Sequence, residues 1–146
     1  MAETSMAQPG IATEFADPGR IRSYHAHIYY NPQTREVAER MREAIGEGFT
    51  VELGRWHDEP VGPHPISMYQ VAFAVAEFPK LVPWLMLNRG GLNVLVHPQT
   101  GDSYDDHAIH ALWLGSKLPL RLEGMRRRQA EAAAARSGRP ATGRSE

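Results

Sequence analysis

Residues 21–30, IRSYHAHIYY, form an alternating segment that is typical of a β-strand and that carries two histidines. Successive side chains of a strand point to opposite faces, so His25 and His27 share one face. Their Cα atoms are expected to lie roughly 6.5–7 Å apart, which is twice the rise per residue of a strand. Two imidazoles at this separation can bind one metal ion. The pair by itself is equally compatible with two ordinary strand histidines.

The segments that follow this strand alternate between helical and extended patterns. The patterns predict strands at 21–30, 49–53, 66–76 and 92–96, helices at 33–47 and 77–89, and a last strand or short helix at 107–114. The dipeptide His97-Pro98 is expected to stop the fourth strand. The order β-α-β-β-α-β, followed by an extra C-terminal element, predicts an α+β fold of the ferredoxin-like sandwich type.

The predicted arrangement has a consequence for the sheet. Two helices on one face leave the opposite face bare, and a bare apolar face has to meet a partner or enclose a pocket. A homodimer formed through the open sheet face is therefore expected.

Composition separates both ends of the chain from its middle. Residues 1–20 lack sustained apolar periodicity and are expected to form a flexible N-terminal arm. Residues 124–146 begin as an Ala- and Arg-rich helix end and continue as a flexible tail. The folded domain is therefore predicted at residues 21–123, and its length of about 100 residues is adequate for independent folding.

Charge and cysteine content exclude several classes of partner. The 146-residue chain has a net charge of −1 and no cysteine, so disulfides and thiolate metal sites are excluded. No global field draws it to nucleic acid or to a membrane. The run Arg126–Arg128 is interpreted as a solvated helix end, with a nucleic-acid contact as the alternative. The sequence shows no signal-peptide pattern and no apolar stretch of the ~20 residues that a membrane span requires, so a cytoplasmic protein is expected.

A third histidine is expected close to the strand pair. In the predicted topology the fourth strand lies beside the first and antiparallel to it, so the end of the fourth strand is near the start of the first. His97 is therefore expected near His25 and His27, and the three predict a metal site. Neutral imidazole suits iron, zinc, copper and nickel.

The other four histidines are less constrained. His64 lies between two prolines and is predicted to be a fourth ligand or a general acid–base group, or else a loop histidine. His107 and His110 follow the aspartates at 105–106. These aspartates are predicted either to orient an imidazole ring or to cap a short helix. His57 is interpreted as a surface residue.

Four segments of the chain resemble the DOPA 4,5-dioxygenase family of small fungal and bacterial aromatic ring-opening dioxygenases. They are 24-YHAHIYY-30, 55-RWHDEPVGPHP-65, 88-NRGGLNVLVHPQTGD-102 and 106-DHAIHALWLG-115. The resemblance covers about residues 21–122 and leaves out the tails. It implies a non-haem Fe(II) enzyme that uses O₂ to open a catechol ring beside its two hydroxyls, the extradiol mode, with DOPA or a related catechol as the small substrate.

The resemblance extends to five matched histidines: His25, His27, His64, His97 and His107. The strand argument assigns the metal to His25, His27 and His97, and leaves His64 and His107 as catalytic residues that transfer protons or contact the substrate. A set with His64 in place of one strand histidine is the rival. The expected metal is non-haem Fe(II), and zinc is expected as a substitute in purified protein.

Further residues are candidates for substrate contacts. They are Trp56, Tyr69, Trp84 and Trp113 for an apolar wall and Arg55 or Arg89 for a substrate carboxylate. Core packing and structural ion pairs are the alternatives for these side chains. Two other functions stay open: a metal- or small-ligand-binding ferredoxin-like protein without oxygenase activity, and a cofactor-free dimer whose histidines are structural.

Overall fold

The computed structural model describes residues 14–137, which form a five-stranded sheet and four α-helices. The strands are β1 (Ser23–Tyr29), β2 (Glu52–Leu53), β3 (Met68–Ala74), β4 (Val94–Gln99) and β5 (Leu112–Leu114). The helices are α1 (Arg35–Gly48), α2 (Phe78–Asn88), α3 (Ser103–Ala108) and α4 (Glu123–Arg136). None of these helices is long and apolar enough to cross a membrane. The predicted α+β class is confirmed.

The sheet has the order β2-β3-β1-β4-β5, and every neighbouring pair is antiparallel. The strand that opens the fold, β1, therefore lies in the middle of the sheet. Of the two alternatives predicted at 107–114, the strand is present as β5, whereas the short helix α3 begins earlier, at Ser103, and reaches only the first two residues of that range. The second strand is shorter than predicted: only Glu52 and Leu53 pair with β3.

The expectation that His97-Pro98 stops the fourth strand is wrong, since β4 continues to Gln99. Proline lacks an N–H group and is tolerated where no neighbouring strand needs one. The pairing of β4 with β5 ends at Val96, whereas its pairing with β1 continues through Pro98. The carbonyl of Gln99 accepts from Arg22 N on the β1 side, so the nitrogen of Pro98 faces the side without a partner. His97 is thereby held inside the sheet.

The main core lies between the sheet and helices α1 and α2. Ala38, Met41 and Ile45 are its buried residues on α1, at the helical spacing that the sequence shows, and the Tyr69 hydroxyl on β3 donates to the carbonyl of Ala38. The helix α2 contains a proline in its first turn and continues through Pro83. The side chains of β1 that enter this core are those of even number, including Ala26 and Ile28.

The opposite face of the sheet is covered more than the two-helix pattern predicts. A second apolar cluster of Tyr29, Met68 and Leu95 lies there and is covered by Ala111, Trp113, Leu118 and Leu120. Arg121 N donates to the carbonyl of Pro63, which ties this covering segment to the loop before β3. The homodimer through this face stays a prediction.

The C-terminal helix packs on the short helix before β5. Gln129 of α4 accepts from Tyr104 N and donates to Asp102 Oδ1, so one side chain holds the first turn of α3. Residues 1–13 and 138–146, where most of the flexible arm and the flexible tail were predicted, lie outside the described residues. The domain limits stay predictions.

Candidate metal centre

Five of the seven histidines converge on the face of the sheet opposite α1 and α2. They are His25 and His27 on β1, His97 on β4, His64 in the loop before β3, and His107 on α3. Side-chain alternation on β1 sends Ala26 and Ile28 into the core and the two histidines to the other side. The matched histidines of the sequence analysis are therefore all brought together.

The two remaining histidines lie elsewhere. His57 pairs with Met68 through backbone hydrogen bonds, and its proximity is the smallest of the three causes that lower the pKa of His64. His110 follows α3 and lines a groove of about 400 Å³ on the helix side, with Tyr24, Phe78 and Leu112. This groove contains none of the five clustered histidines, so it is separate from the candidate metal centre.

Strand pairing places the first three histidines. His25 and His97 are direct partners in the β1–β4 register. The Nε2 atoms of His27 and His97 are 3.2 Å apart, and one ring nitrogen from each of His25, His27 and His97 lies within 4.8 Å of the others. The predicted proximity of His97 to the strand pair is thus observed.

A second group of three shares one member with the first. Ring nitrogens of His27, His64 and His107 also lie within 4.8 Å of one another. His64 is buried and follows a tight turn, in which its N–H donates to the carbonyl of Val61 and Gly62 has a φ of 57°. The geometry therefore accommodates the predicted ligand set and also a set that contains His64, and His27 belongs to both.

Hydrogen bonds orient the rings. His97 Nδ1 donates to the carbonyl of Pro98 over 3.0 Å, and His107 Nδ1 donates to the carbonyl of Ser103 over 2.8 Å. Because a carbonyl only accepts, both rings carry a proton on Nδ1 and keep a lone pair on Nε2. His27 Nδ1 lies 3.4 Å from the Met68 sulfur. The contacts to the two carbonyls leave Nε2 of His97 and Nε2 of His107 with a lone pair that can bind a metal ion.

The aspartates beside His107 have other roles than the sequence suggested. The N-cap of α3 is Asp102, which accepts from Asp105 N. Asp106 is buried and accepts two hydrogen bonds from Thr100. The predictions that 105–106 cap the helix or orient a histidine ring are therefore wrong, since a backbone carbonyl orients His107.

Burial and mutual repulsion keep the clustered imidazoles neutral. Burial, followed by the proximity of His107, lowers the pKa of His97 to about 3 and that of His64 to about 4. Burial also lowers the pKa of His27 well below its ordinary value, with His64 as the next cause. The pKa values of His25 and His107 are lowered as well, mainly by burial. At neutral pH all five rings therefore offer lone pairs rather than positive charge.

The donor set fits a divalent transition metal. Deprotonated imidazole nitrogens bind iron, zinc, copper and nickel, and a metal ion replaces the repulsion among the rings by shared coordination. The two groups found among residues 14–137 consist of histidines alone. The residues present therefore fit a metal ion held by three imidazoles.

Most of the proposed aromatic wall belongs to the core instead. Trp56 packs edge-on against Tyr69, and Trp84 packs against Phe49, all on the helix side of the sheet. Trp113 alone of the four candidates lies on the histidine side, where it stacks on Tyr29.

Two residues that contact the histidines were not predicted from the sequence. Tyr29 shares the face of His25 and His27 by strand alternation, and its hydroxyl lies 2.7 Å from His64 Nδ1. The alternation that places His25 and His27 on one face of the strand also predicts Tyr29 on that face. Met68 contacts His27 only through the register of β3 against β1, which no local pattern shows.

The part of the chain that carries these histidines matches a known protein family. The model of the Dopa 4,5-dioxygenase family matches residues 24–124, which include all five clustered histidines. The chain belongs to this family. The resemblance seen in the sequence is thereby confirmed, and it indicates an enzyme of the dioxygenase type. The match ends at the start of α4, so most of that helix lies beyond it.

Individual relatives support the assignment to this family. A DOPA 4,5-dioxygenase of Amanita muscaria is 33% identical over 114 residues, which are 72% of this chain and 50% of that protein. An "Uncharacterized 21.2 kDa protein" of Botryotinia fuckeliana is 36% identical over 137 residues, covering 84% of this chain and 73% of its own length. The crystal structure of a "putative dioxygenase" from Nostoc punctiforme is similar with a TM-score of 0.76 at 54% identity, over 77% of this chain and 97% of that one.

Proposed function

We propose that the protein is an extradiol ring-cleaving dioxygenase that uses non-haem Fe(II) and O₂ to open DOPA or a related catechol. The observation that carries the proposal is the cluster of five neutral histidines around His27, in a chain of the Dopa 4,5-dioxygenase family. A three-histidine ligand set leaves further coordination positions free for substrate and oxygen. Bound Fe(II) would supply Lewis acidity toward the catechol hydroxyls and an electron source for O₂.

The proposed ligands are His25, His27 and His97. All three lie on adjacent central strands, so their positions are held by the backbone pairing of the sheet rather than by loops. The carbonyl of Pro98 keeps the lone pair of His97 on Nε2, the atom that lies 3.2 Å from His27 Nε2. The rival set is His27, His64 and His107.

His64 and His107 are the proposed catalytic residues. The Nδ1 proton of His107 is committed to the carbonyl of Ser103, so its Nε2 lone pair can accept a proton from a catechol hydroxyl. His64 reaches the cluster from the loop before β3, and its ring centroid lies 4.2 Å from that of His27. A substrate hydroxyl that lies close to both side chains would meet a proton acceptor and a second polar group.

The second candidate function is a metal-binding protein without oxygenase activity. It is favoured by one observation, that both groups of candidate ligands contain histidines alone, a donor set that zinc accepts as readily as iron. Zinc has no redox chemistry of its own, so a protein that holds zinc in the cell would bind a catechol or another small ligand without consuming O₂.

One experiment separates the two functions. The metal-free protein is loaded anaerobically with one Fe(II) per chain and mixed with DOPA and with simple catechols in air, and O₂ uptake and the visible absorption of the ring-opened product are followed. The dioxygenase proposal expects O₂ uptake that disappears in His25→Ala, His27→Ala and His97→Ala. The variant His110→Ala, in the separate groove on the helix side, serves as the control. No O₂ uptake with any catechol in protein that holds iron would favour the binding function.

Three other expectations accompany this proposal. The order β2-β3-β1-β4, with two helices on one side, supports a ferredoxin-like topology to which β5 is added at the edge. A homodimer and a cytoplasmic location stay predictions. Small catechols and O₂ are the proposed partners.

A further inference from the structure

The hydroxyl of Tyr29 is the only described partner of one nitrogen of His64. Tyr29 follows His27 by two residues on β1 and points to the same face, where it is buried and stacks on Trp113. Its hydroxyl oxygen lies 2.7 Å from His64 Nδ1. Within residues 14–137 this hydroxyl has no other hydrogen-bond partner. The contact is thus isolated from other donors and acceptors.

The direction of this hydrogen bond follows from the chemistry of the two groups. A phenol has one proton to donate, and at neutral pH the proton stays on the oxygen because the ordinary pKa of tyrosine is about 10. If His64 Nδ1 also carried a proton, the phenol proton would be buried without an acceptor, which costs free energy. The satisfied arrangement has the Tyr29 hydroxyl donating to a bare Nδ1. A neutral imidazole that accepts at Nδ1 carries its proton on Nε2.

The neighbouring rings have the opposite arrangement. The carbonyls of Pro98 and Ser103 hold the protons of His97 and His107 on Nδ1, so that the lone pairs lie on Nε2. A nitrogen that carries a proton cannot coordinate a metal ion. We propose that Tyr29 is a positioning residue that fixes His64 in the tautomer with its proton on Nε2, which makes His64 a hydrogen-bond donor toward an oxygen atom of a bound ligand and not a metal ligand.

The inference bears on the choice between the two ligand sets. The set of His27, His64 and His107 requires a lone pair on His64, whereas the set of His25, His27 and His97 does not involve this ring. The hydrogen bond from Tyr29 therefore favours His25, His27 and His97 as the metal ligands. Only the nature of the oxygen-bearing ligand, a catechol, rests on the proposed function.

The test is a measurement on the full chain after metal removal by chelation. Long-range ¹H–¹⁵N spectra of uniformly ¹⁵N-labelled protein at pH 7.5 distinguish the two tautomers of each histidine, and His64→Gln assigns the His64 signals. The expected result is a His64 with its proton on Nε2 and a His107 with its proton on Nδ1. In Tyr29→Phe, which keeps the ring and loses the hydroxyl, the His64 signals should move to a mixture of tautomers.

The control is Tyr30→Phe, because the Tyr30 hydroxyl binds Asp58 and its ring lies on the other face of the sheet. It should leave the His64 signals unchanged. A wild-type His64 with its proton on Nδ1, or an unchanged Nε2 tautomer in Tyr29→Phe, would overturn the inference. Both results are obtained without catechol and iron, so they are independent of whether the protein opens catechol rings.

A second readout tests the assignment against a merely structural role. In wild-type protein and Tyr29→Phe, the affinity for Zn(II) is measured by calorimetry. If Tyr29 acts on His64 and His64 is not a metal ligand, the dissociation constant for Zn(II) should change by less than about threefold. Loss of a group that supports a metal ligand typically lowers the affinity by roughly 10–100-fold. A larger loss of affinity would show that His64 binds the metal, which contradicts the inference.

Discussion

His25 and His97 face each other across the antiparallel pair of β1 and β4, with ring centroids 5.2 Å apart. Their relationship is set by the backbone ladder, and the same ladder places His27 two residues along the strand. Because sheet pairing is stiffer than loop structure, three imidazoles are held close together before any metal binds. The loop and α3 then add His64 and His107 around them.

The first prediction concerns the ligand set. His27→Ala should lower the affinity for Zn(II) more than any other single change, by roughly 100-fold or more, because losing even a group that supports a ligand costs 10–100-fold. The physical reason is that His27 belongs to both groups of three histidines. Calorimetric titration of the metal-free protein measures the affinity.

The same titration ranks the other histidines. His25→Ala and His97→Ala should weaken binding strongly, whereas His64→Ala and His107→Ala should weaken it little. His110→Ala is the matched control, since His110 lines the groove on the helix side. The reverse ranking, with His64 and His107 essential and His25 dispensable, would establish the rival set.

The second prediction concerns the stability of the metal-free protein in acid. Burial lowers the folded-state pKa of His64 to about 4 and that of His97 to about 3, both below the ordinary value of 6.5. Between these values and pH 6.5 the unfolded chain binds more protons than the folded one. The contribution of the two neutral histidines to the free energy of unfolding is therefore complete above about pH 6.5 and is lost as the pH falls toward the folded-state pKa values. The free energy of unfolding should decrease by about 1 kcal/mol per pH unit for each of the two histidines.

Urea unfolding at several values between pH 7.5 and pH 5 measures this slope. Other groups titrate in the same range, so the informative comparison is with the double variant His64→Gln, His97→Gln. Its unfolding free energy should fall less steeply with decreasing pH. Equal slopes for the two proteins would contradict the prediction that these histidines are neutral when folded.

The third prediction concerns metal addition. A ligand that binds only the folded state at 100 times its dissociation constant raises the unfolding free energy by about 2.7 kcal/mol. Zn(II) should therefore raise the midpoint of thermal unfolding, and a chelator should reverse the shift. In His27→Ala the shift should be absent, because neither group of three histidines is complete. An undiminished shift in this variant would place the metal elsewhere in the chain.

The fourth prediction concerns the helix beyond the family match. Gln129→Ala removes the hydrogen bonds that α4 makes to Tyr104 N and Asp102 Oδ1, and it should cost about 1–2 kcal/mol of stability. The amides of α3, which carries His107, should exchange faster with solvent. Glu131→Ala, an exposed position on the same helix, is the control. Unchanged exchange in Gln129→Ala would mean that α3 is held without α4.

The fifth prediction concerns the turn after β5. Gly115 has a φ of 86°, and a Cβ atom there would lie 2.5 Å from Asn93 Oδ1, which accepts from Ser116 N. Gly115→Ala should therefore destabilise the protein by about 1–3 kcal/mol, measured by urea unfolding. The control Gly48→Ala lies at the end of α1, where an added Cβ meets nothing within 4 Å. Equal stability of the two variants would contradict the structure of this turn.

The sequence by itself determined the local elements and one part of the site. The period of two in 21–30 was sufficient to place His25 and His27 on one face, and the same rule applies to Tyr29. The helical spacing at 33–47 places Val37, Met41, Ala44 and Ile45 on one face. Met41 and Ile45 are buried and Val37 packs against the core, whereas Ala44 is exposed and Ala38, which this pattern did not include, is buried. These features depend on neighbours a few residues apart, so the order of residues alone is enough to define them.

The tertiary structure decided which histidines meet. His27 and His97 are 70 residues apart in the chain, and their contact exists because β4 pairs with β1 in one particular register. A shift by one residue would turn His97 to the other face of the sheet. The tautomers depend on single carbonyl and hydroxyl groups near each ring, which no periodicity shows. Sequence periodicity therefore predicts the faces, whereas strand register and loop packing determine the site.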